Sequence, residues 1–366
     1  MKKKKVLVLS NMYPGKQART FGIFVKNQVE ALRKEGLDVD VMAVTNPNMG
    51  KVNVLKKYGT WLLSTFSNVL AKGKSYDVVH AHYVFPTGML ALLYKKLWKK
   101  RMIVTAHGGD IDRMAKKSPK IRKWTQQILQ EADHVIAVGH ELHRSIHEEF
   151  HVPEEKLSII NMGVNREIFR PIGREKARKQ LNLPEDEKMI LFVGNLIRQK
   201  GLVELVSAYA KVKKEEEKAS LYLIGAVKDV KFRQELDGLI EEYGLRDVHI
   251  LDPMGQQDIA VWMNAASVFV LPSHIEGFGL VALEAMSCHT PVIGTRVGGL
   301  RYLLADGAGV LVEPRDEQSL YKGIVDVLQN EQIVEELIEK GENRARENDQ
   351  RYVIQKVLEV YSPPGG

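Results

Sequence analysis

The chain has 366 residues, of which 44% are hydrophobic and 27% are charged. This length exceeds what one ordinary hydrophobic core supports, so it predicts two domains, and the composition excludes a disordered or fibrous protein. Cys288 is the single cysteine of the sequence, which excludes an intramolecular disulfide framework and a cysteine-rich zinc site. A reducing compartment fits this cysteine content.

The N-terminal residues predict a buried strand and not a targeting segment. Basic residues 2–5 precede the apolar run 6–9, which superficially resembles a signal peptide. That run is shorter than the roughly 7–15 residues of a true apolar region, and polar Asn11 follows it closely. No apolar run in the sequence approaches the roughly 20 residues that a membrane-spanning helix needs. The sequence therefore predicts a soluble, cytoplasmic protein.

The charge of the chain is unevenly distributed. The net charge is +7, but residues 1–165 hold 27 Lys and Arg against 14 Asp and Glu, whereas residues 166–366 hold 26 against 32. This asymmetry indicates that the first half faces an anionic partner. Nucleic acid, an anionic membrane and a phosphorylated substrate are the alternatives. The basic runs 94–101 and 113–124 also contain Trp and aliphatic residues, which favours a membrane surface over a merely solvated helix face.

Short apolar runs alternate with helical patterns along the chain, which is typical of βα units with parallel sheets. In the first half, strands are predicted at 6–10, 39–44, 77–80, 102–105 and 134–138, and helices at 24–35, 88–98, 120–131 and 141–149. In the second half, strands are predicted at 189–193, 220–224, 248–251, 268–271 and 291–294, and helices at 202–211, 278–288, 318–329 and 332–347.

We therefore predict an α/β fold with two Rossmann-like, doubly wound domains. The predicted domains are residues 1–165 and 166–348, and a C-terminal helix within 349–366 is expected to cross back to the first domain. In open parallel sheets, ligands bind outside the carboxyl ends of the strands. Candidate functional residues are therefore those that directly follow predicted strands.

Two glutamates eight residues apart mark the strongest candidate site. Glu276 lies in the loop after the strand at 268–271, where its carboxylate can accept hydrogen bonds from ligand hydroxyls. Glu284 is expected about two turns into the next helix, among apolar neighbours. A poorly solvated carboxylate needs hydrogen-bond partners, which the two hydroxyls of a ribose would supply. In isolation the pair would be a solvated loop acid and a structural acid, but the surrounding motif favours a binding site.

A Gly-Phe-Gly turn separates these glutamates. The backbone N–H groups of Phe278, Gly279 and Leu280 are expected to open the helix. Unpaired N–H groups at a helix N-terminus favour an anion, so a phosphate or developing negative charge is expected here.

A basic loop follows the strand at 189–193. Gly194 ends that strand and allows a ligand to approach the backbone. Lys200 and Arg198 can neutralise a diphosphate beside the next helix N-terminus. A solvated basic loop is the alternative for either cation alone, and Lys200 is the stronger candidate because Lys-Gly directly precedes the helix.

The first half contributes weaker signals. Gly22 precedes a helix and would bring its N–H to a phosphate, although glycine before a helix is common. The loop around Gly22 matches neither the dinucleotide-binding pattern nor the Walker pattern. His107 ends a strand and precedes two glycines, so it either faces a ligand or is a capping or core histidine. Asp110 either orients His107 or caps the next segment. His80 and His82 lack metal-ligand partners at suitable spacing and are interpreted as structural or cleft-lining.

Taken in this order, the motifs resemble the retaining family 4 glycosyltransferases of the GT-B fold. The E-x7-E segment 276–284 is the most specific of them. The other matching segments are the continuation at 290–300, Val193-Gly194 with Lys200-Gly201, Thr-Ala-His-Gly at 105–108, the segment 161–171 and the Gly22 loop. The resemblance covers nearly the whole chain.

The resemblance implies an acceptor-binding domain followed by a donor-binding domain, facing each other across a cleft that holds a nucleotide-diphospho-sugar. By matching position, Glu276 would contact the transferred sugar, Glu284 the ribose and Lys200 the diphosphate. Gly22 would approach the diphosphate through its backbone, and His107 would line the sugar site. The family needs no metal, and retention would proceed by front-face attack.

Two positions depart from the family pattern. Asn195 stands where many members have Arg, which removes a cation for which Arg198 would compensate by reaching inward. His289 stands after Cys288 where many members have Gly, which would alter the turn there.

The predicted function is metal-independent transfer of a hexosyl group from a nucleotide sugar to a lipid-linked or polysaccharide acceptor at the cytoplasmic face of the membrane. No cofactor and no nucleic acid are expected as partners. The alternatives are a GT-B enzyme of another reaction type, such as an epimerase or phosphorylase, and a non-catalytic polyanion-binding protein.

Overall fold

A computed structural model describes residues 3–16, 18–47 and 50–362. Within them the chain forms two compact units. The N-terminal unit comprises the chain up to Gly163 together with the segment from Gln350 onward, and the C-terminal unit is Val164–Asp349. The divisions lie close to the predicted domain limits at 165 and 348, whereas the predicted limits at residues 1 and 366 lie outside the described residues.

Each unit contains a six-stranded sheet, and all strand pairs in both sheets are parallel. The strands of the N-terminal unit are β1 Lys5–Ser10, β2 Asp38–Ala43, β3 Val78–His82, β4 Arg101–Ala106, β5 His134–Ala137 and β6 Leu157–Ile159. The strands of the C-terminal unit are β7 Lys188–Val193, β8 Ala219–Ile224, β9 Val248–Leu251, β10 Val268–Leu271, β11 Val292–Thr295 and β12 Val310–Val312. The spatial orders are β2-β1-β3-β4-β5-β6 and β12-β11-β10-β7-β8-β9.

Helices alternate with these strands. They are α1 Ile23–Lys34, α2 Lys51–Lys72, α3 Thr87–Trp98, α4 Pro119–Glu131, α5 His140–Phe150, α6 Arg174–Leu181, α7 Leu202–Glu215, α8 Val230–Glu242, α9 Gln256–Ala265, α10 Leu280–Ser287, α11 Leu300–Leu303, α12 Glu317–Gln329, α13 Glu331–Glu347 and α14 Gln350–Tyr361. The predicted α/β class with two Rossmann-like domains is confirmed.

The apolar run near the N-terminus forms a buried strand, as the sequence predicts. Val6, Leu7, Val8 and Leu9 are all fully buried in β1. A parallel sheet with helices on both faces buries both sides of its strands, so such strands are continuously apolar. The apolar run is therefore a central strand of the N-terminal sheet. No helix among the described residues is both long and apolar enough to cross a membrane.

The sequence interpretation omitted several elements that the structure contains. They are α2, α6, α8, α9, α11, β6 and β12. It also placed the start of α10 at residue 278, but that helix begins at Leu280. The largest omission is α2, a helix of 22 residues.

The C-terminal helix α14 belongs to the N-terminal unit, where it packs against α1. Its residue Tyr361 is buried, and the Tyr361 hydroxyl lies 2.7 Å from Nδ1 of His80. The other ring nitrogen of His80 lies 2.7 Å from the Thr105 hydroxyl. Burial lowers the pKa of His80 well below its usual range, so the ring is neutral and uses one nitrogen as donor and one as acceptor.

We expect Tyr361→Phe to lower the free energy of unfolding by about 1–3 kcal/mol, because it leaves a ring nitrogen of His80 unpaired in the core. Tyr352→Phe is the matched control, since Tyr352 lies on the same helix and is exposed. We expect the control to change stability by less than about 0.5 kcal/mol. Urea denaturation of both variants measures the difference, and equal effects would contradict the role assigned to the buried hydroxyl.

Candidate active site

The order of strands in the C-terminal sheet places two loops side by side. Strands β8 and β9 lie one after the other on one side of β7, and β10 pairs with β7 on its other side. The loops after β7 and β10 therefore leave neighbouring strands at the carboxyl edge. Such a reversal of strand order is where open α/β sheets bind ligands.

These two loops bring together Lys200 and Glu276. The ammonium Nζ of Lys200 lies 2.6 Å from Oε2 of Glu276, and the Ser273 hydroxyl donates to the same oxygen over 3.2 Å. The two charged side chains are 22% and 18% exposed, respectively. Two residues singled out in the sequence 76 positions apart thus form a partly buried ion pair with a third polar group beside it.

Glycines allow these loops to pack closely. Gly201 has φ +69°, and a Cβ at this position would lie 1.9 Å from the carbonyl oxygen of Pro272. Gly298 has φ +45°, and its Cβ would lie 1.8 Å from the carbonyl oxygen of Glu276. Both positions therefore require glycine for conformation and for space. The sequence interpretation included both glycines in its motifs but did not identify these contacts.

A contact between the loop after β10 and helix α7 was also missed. Nε2 of His274 lies 2.8 Å from Oε1 of Glu204, and the backbone N–H of His274 donates to the Gln199 carbonyl over 2.9 Å. The second bond ties the loop after β10 directly to the loop after β7. Ser273 and His274 closely follow the buried strand β10, and this position could have identified both as candidate site residues.

The start of α10 differs from the prediction. The helix begins at Leu280, with Gly279 preceding it in a left-handed conformation at φ +92°. Phe278 therefore lies in the loop ahead of the helix, and the N–H groups at the helix start belong to Leu280 and its successors. Glu284 is consequently just over one turn into the helix, and not two.

Glu284 has an environment that favours its neutral form. Its side chain is only partly exposed, and the Gln256 amide donates to it over 3.5 Å. Burial raises the pKa of Glu284 from its ordinary value of 4.5 to about 8, with the Gln256 contact opposing the shift. At pH 7 the carboxyl is therefore mostly protonated.

Arg198 is engaged by groups other than the Lys200–Glu276 pair. Its guanidinium forms an ion pair with Glu235 and lies 5.4 Å from the centre of the Phe232 ring. Asn195 is exposed. The compensation of Asn195 by Arg198 stays a prediction.

Gly194 lies at the end of β7, where its N–H donates to the Ile224 carbonyl over 2.9 Å. A Cβ on the facing Gly225 would lie 1.8 Å from the carbonyl oxygen of Gly194. This strand end is therefore held by close backbone contact between two glycines, and the approach of a ligand to Gly194 stays a prediction.

In the N-terminal unit, His107 is surrounded by aromatic rings. Its Nε2 lies 3.1 Å from Nδ1 of His82, and its ring centre lies 4.6 Å from that of Tyr83 and 5.0 Å from that of Phe24. Burial, and then the proximity of His82, lower the pKa of His107 well below its usual range. The imidazole is therefore neutral and has one donor and one acceptor nitrogen.

Asp110 acts on the backbone and not on the His107 ring. Its carboxylate accepts hydrogen bonds from the backbone N–H groups of His107 over 3.0 Å and Val84 over 2.9 Å. These contacts fix the backbone at His107 and Val84, so they are neither contact with the His107 ring nor a cap of the next segment, the two alternatives that the sequence offered. His80 and His82 are fully buried. Among residues 3–16, 18–47 and 50–362, no group of three or more His, Cys, Asp or Glu side chains could hold a metal ion, and metal independence stays a prediction.

Gly22 has φ +71° and directly precedes α1. A Cβ at Gly22 would lie 2.6 Å from the carbonyl oxygen of Met12, so loop packing alone requires glycine there. The approach of Gly22 to a phosphate stays a prediction. His289 adopts φ +60° and its Nε2 lies 3.4 Å from Glu342, so the turn that glycine makes in many family members is here made by a histidine.

Comparison with known proteins identifies the family. Residues 22–168 match the model of Glycosyltransferase Family 4, and residues 173–344 match that of Glycosyl transferases group 1. A D-inositol 3-phosphate glycosyltransferase of Thermomonospora curvata is 31% identical over 309 residues, which cover 78% of this chain and 71% of that protein. The chain belongs to the family 4 glycosyltransferases of the GT-B fold.

Further similarities agree with this assignment. A D-inositol 3-phosphate glycosyltransferase of Thermobispora bispora is 34% identical over 273 residues, which cover 69% of this glycosyltransferase chain and 62% of that relative's length. The structure of a sucrose-phosphate synthase from Thermosynechococcus elongatus superimposes with a TM-score of 0.82, 25% identity and 98% coverage of both chains. The two-domain GT-B architecture expected from the resemblance is thereby supported along the whole chain.

The raised pKa of Glu284 predicts how stability changes with pH. Between pH 4.5 and about 8 the unfolded chain releases this proton while the folded chain keeps it, so stability falls as pH rises through this range. We expect Glu284→Gln to remove this part of the dependence. Urea denaturation of wild type and variant at pH 5, 6.5 and 8 checks this, and parallel pH profiles would contradict the buried, neutral carboxyl.

Proposed function

We propose that this protein transfers a hexosyl group from a nucleotide-diphospho-sugar to an acceptor, with retention of configuration and without a metal ion. The observation that carries the proposal is the Lys200–Glu276 pair at the reversal of strand order in the C-terminal sheet. The cation can bind the diphosphate of such a donor, and the carboxylate can accept hydrogen bonds from its sugar hydroxyls.

Donor binding exchanges the partners of this pair. The ammonium of Lys200 binds the diphosphate, and the N–H groups of Leu280 at the start of α10 and of Gly279 just before it add to the positive potential. Glu276, released from Lys200, accepts hydrogen bonds from hydroxyls of the sugar. Fixed positive groups next to the diphosphate stabilise the charge that develops as it leaves.

Glu284 binds the ribose of the nucleotide. An ionised carboxylate accepts a strong hydrogen bond from each of two hydroxyls, whereas a protonated carboxyl donates one hydrogen bond and accepts more weakly. Because the pKa of Glu284 is about 8, nucleotide binding near neutral pH is coupled to loss of this proton.

In the transfer step, the bond between the anomeric carbon and the diphosphate oxygen breaks, and a bond to the acceptor oxygen forms on the same face. The acceptor proton moves to the departing diphosphate. His107, neutral at pH 7, contributes a hydrogen bond to a sugar hydroxyl. Gly22 approaches the diphosphate through its backbone.

The acceptor is anionic in this proposal. The first half of the chain has 27 basic and 14 acidic residues, which favours a lipid-linked or polysaccharide glycan at the inner membrane surface. Two relatives described above are named for transfer to D-inositol 3-phosphate, so a phosphorylated polyol is the second candidate. Both candidates place negative charge next to the basic half of the chain.

We expect Lys200→Ala and Glu276→Gln to lower kcat/KM for transfer by about 100-fold or more, because each removes a group that stabilises the donor in the transition state. Lys211→Ala is the matched control, since Lys211 forms an exposed ion pair with Glu317 in the same unit. Release of nucleoside diphosphate from UDP-, GDP- and ADP-sugars, measured with and without acceptor, detects the activity. Full activity in both site variants would refute the site, and diphosphate release independent of acceptor would refute transfer.

A comparison of acceptors separates the two acceptor classes. Using the donor selected by the preceding experiment, we expect product with membrane lipid extract or inositol phosphate and none with uncharged inositol. Radiolabelled sugar in the organic phase indicates a lipid-linked acceptor, whereas label in a soluble anionic product indicates a phosphorylated polyol. Equal transfer to charged and uncharged acceptors would contradict the role of the basic half.

A further inference from the structure

Helix α2 exposes several large apolar side chains. Its six exposed large apolar side chains are between 45% and 80% accessible to solvent. They are Val52, Leu55, Leu62, Leu63, Phe66 and Leu70. Isolated exposed apolar residues are ordinary, but a contiguous patch of this kind marks an interaction surface.

The six side chains form a stripe along one side of the helix. At about 100° per residue they fall within an arc of roughly 100°, and from Val52 to Leu70 they extend over roughly 27 Å. The buried side of the helix is a different one, formed by Trp61, Thr65 and Val69. Trp61 anchors that side, since its indole N–H donates to the Met42 carbonyl over 3.1 Å. The helix therefore has one apolar side for its own unit and a second one without a partner in the described residues.

Helix α2 carries positive charge only. Helix α2 contains no Asp or Glu in its 22 residues. Between Asp40 and Asp110 the sequence has ten Lys and Arg and a single acid, Asp77. Such a surface attracts anionic groups and repels another cationic surface.

We propose that the apolar stripe of α2 lies in the interface of an anionic lipid bilayer, with the exposed Lys56 beside the stripe and the exposed Lys72 at the end of the helix at the level of the phosphates. The inference deepens the proposed membrane association by naming the element that enters the lipid. A helix with an apolar face and a basic flank combines insertion with electrostatic attraction, which is the combination that interfacial helices use.

The basic run at 94–101 is less suited to this role on its own. Lys95 lies 2.7 Å from Asp133 and Lys96 lies 3.1 Å from Glu131, so acids neutralise part of its charge. Lys100 donates to the Lys74 carbonyl just beyond the end of α2. The run therefore extends the basic surface of α2, while the stripe supplies the apolar area that the run lacks.

A second copy of the chain is a less suitable occupant of the stripe. Two copies meeting through α2 would bring the two basic surfaces against each other, and juxtaposed like charges disfavour association. A bilayer with anionic headgroups neutralises these charges and buries the apolar side chains at the same time.

The position of the stripe can be tested with a site-specific probe. Cys288 is buried, so a cysteine introduced on α2 can be labelled selectively with a polarity-sensitive fluorophore. Leu63→Cys lies within the stripe, and Ser67→Cys lies on the polar flank of the same helix and is also exposed. With vesicles containing phosphatidylglycerol, we expect a clear blue shift of emission at position 63 and a much smaller one at position 67. Equal shifts at both positions would overturn the proposed orientation.

Vesicle co-sedimentation tests the energetic role of the stripe. We expect Leu63→Gln with Phe66→Gln to weaken binding to phosphatidylglycerol vesicles by about tenfold or more, since it removes two exposed apolar side chains. Ser67→Gln with Ala71→Gln, on the exposed polar flank, is the matched control and should bind like wild type. Binding of wild type should be weak to phosphatidylcholine vesicles and should fall with salt.

Three outcomes would overturn the inference. They are wild-type binding to neither vesicle, unchanged binding of the stripe variant, and self-association of wild type that the stripe variant abolishes. Circular dichroism of each variant shows whether the fold is retained. Because this assay contains neither donor nor acceptor, its result is independent of the transfer activity. A negative result would therefore refute membrane binding through α2 without refuting sugar transfer.

Discussion

The candidate site depends on the ion pair between Lys200 and Glu276. The two residues come from loops that follow adjacent parallel strands, so the strand order brings the loops together. Gly201 then allows the Pro272 carbonyl, and Gly298 the Glu276 carbonyl, to approach closer than any side chain would permit. Since breaking a partly buried pair leaves an uncompensated charge, the pair holds both loops in one arrangement.

The sequence predicts those features of the site that neighbouring residues in the chain determine, and it does not predict contacts between distant residues. Lys200, Glu276 and Glu284 lie in strand–loop–helix motifs whose residue types and spacing can be recognised directly. The contact of Gly201 with Pro272 joins residues far apart in the chain, so no local pattern reveals it. Arg198 has a basic side chain in the right loop, yet Glu235 on another element determines its partner. The local sequence therefore shows that a residue is a glycine or a cation in a loop, whereas the tertiary structure determines which residue it contacts.

The secondary structure was likewise predicted only in part, and the largest element that the sequence analysis missed is α2. The strands of both sheets are short apolar runs between turn signals, and most were predictable. In α2, apolar residues occupy the packed side near Trp61 and also the exposed side near Leu63. With two apolar sides, the contrast between buried and polar positions that reveals an amphipathic helix is lost. The feature that hid the helix from pattern analysis is thus the same feature that marks its surface as unusual.

The charges of the proposed donor site also affect how substrate and product would be distinguished. In the proposed binding mode, a nucleoside diphosphate takes Lys200 away from Glu276 and leaves that carboxylate with the Ser273 hydroxyl as its partner. A sugar nucleotide makes the same exchange but returns hydroxyls to Glu276. An unpaired, poorly solvated carboxylate is costly, so the pair favours the intact donor over the product that remains after transfer. In this binding mode, the Lys200–Glu276 pair is therefore a competitor that only the complete donor replaces at both ends.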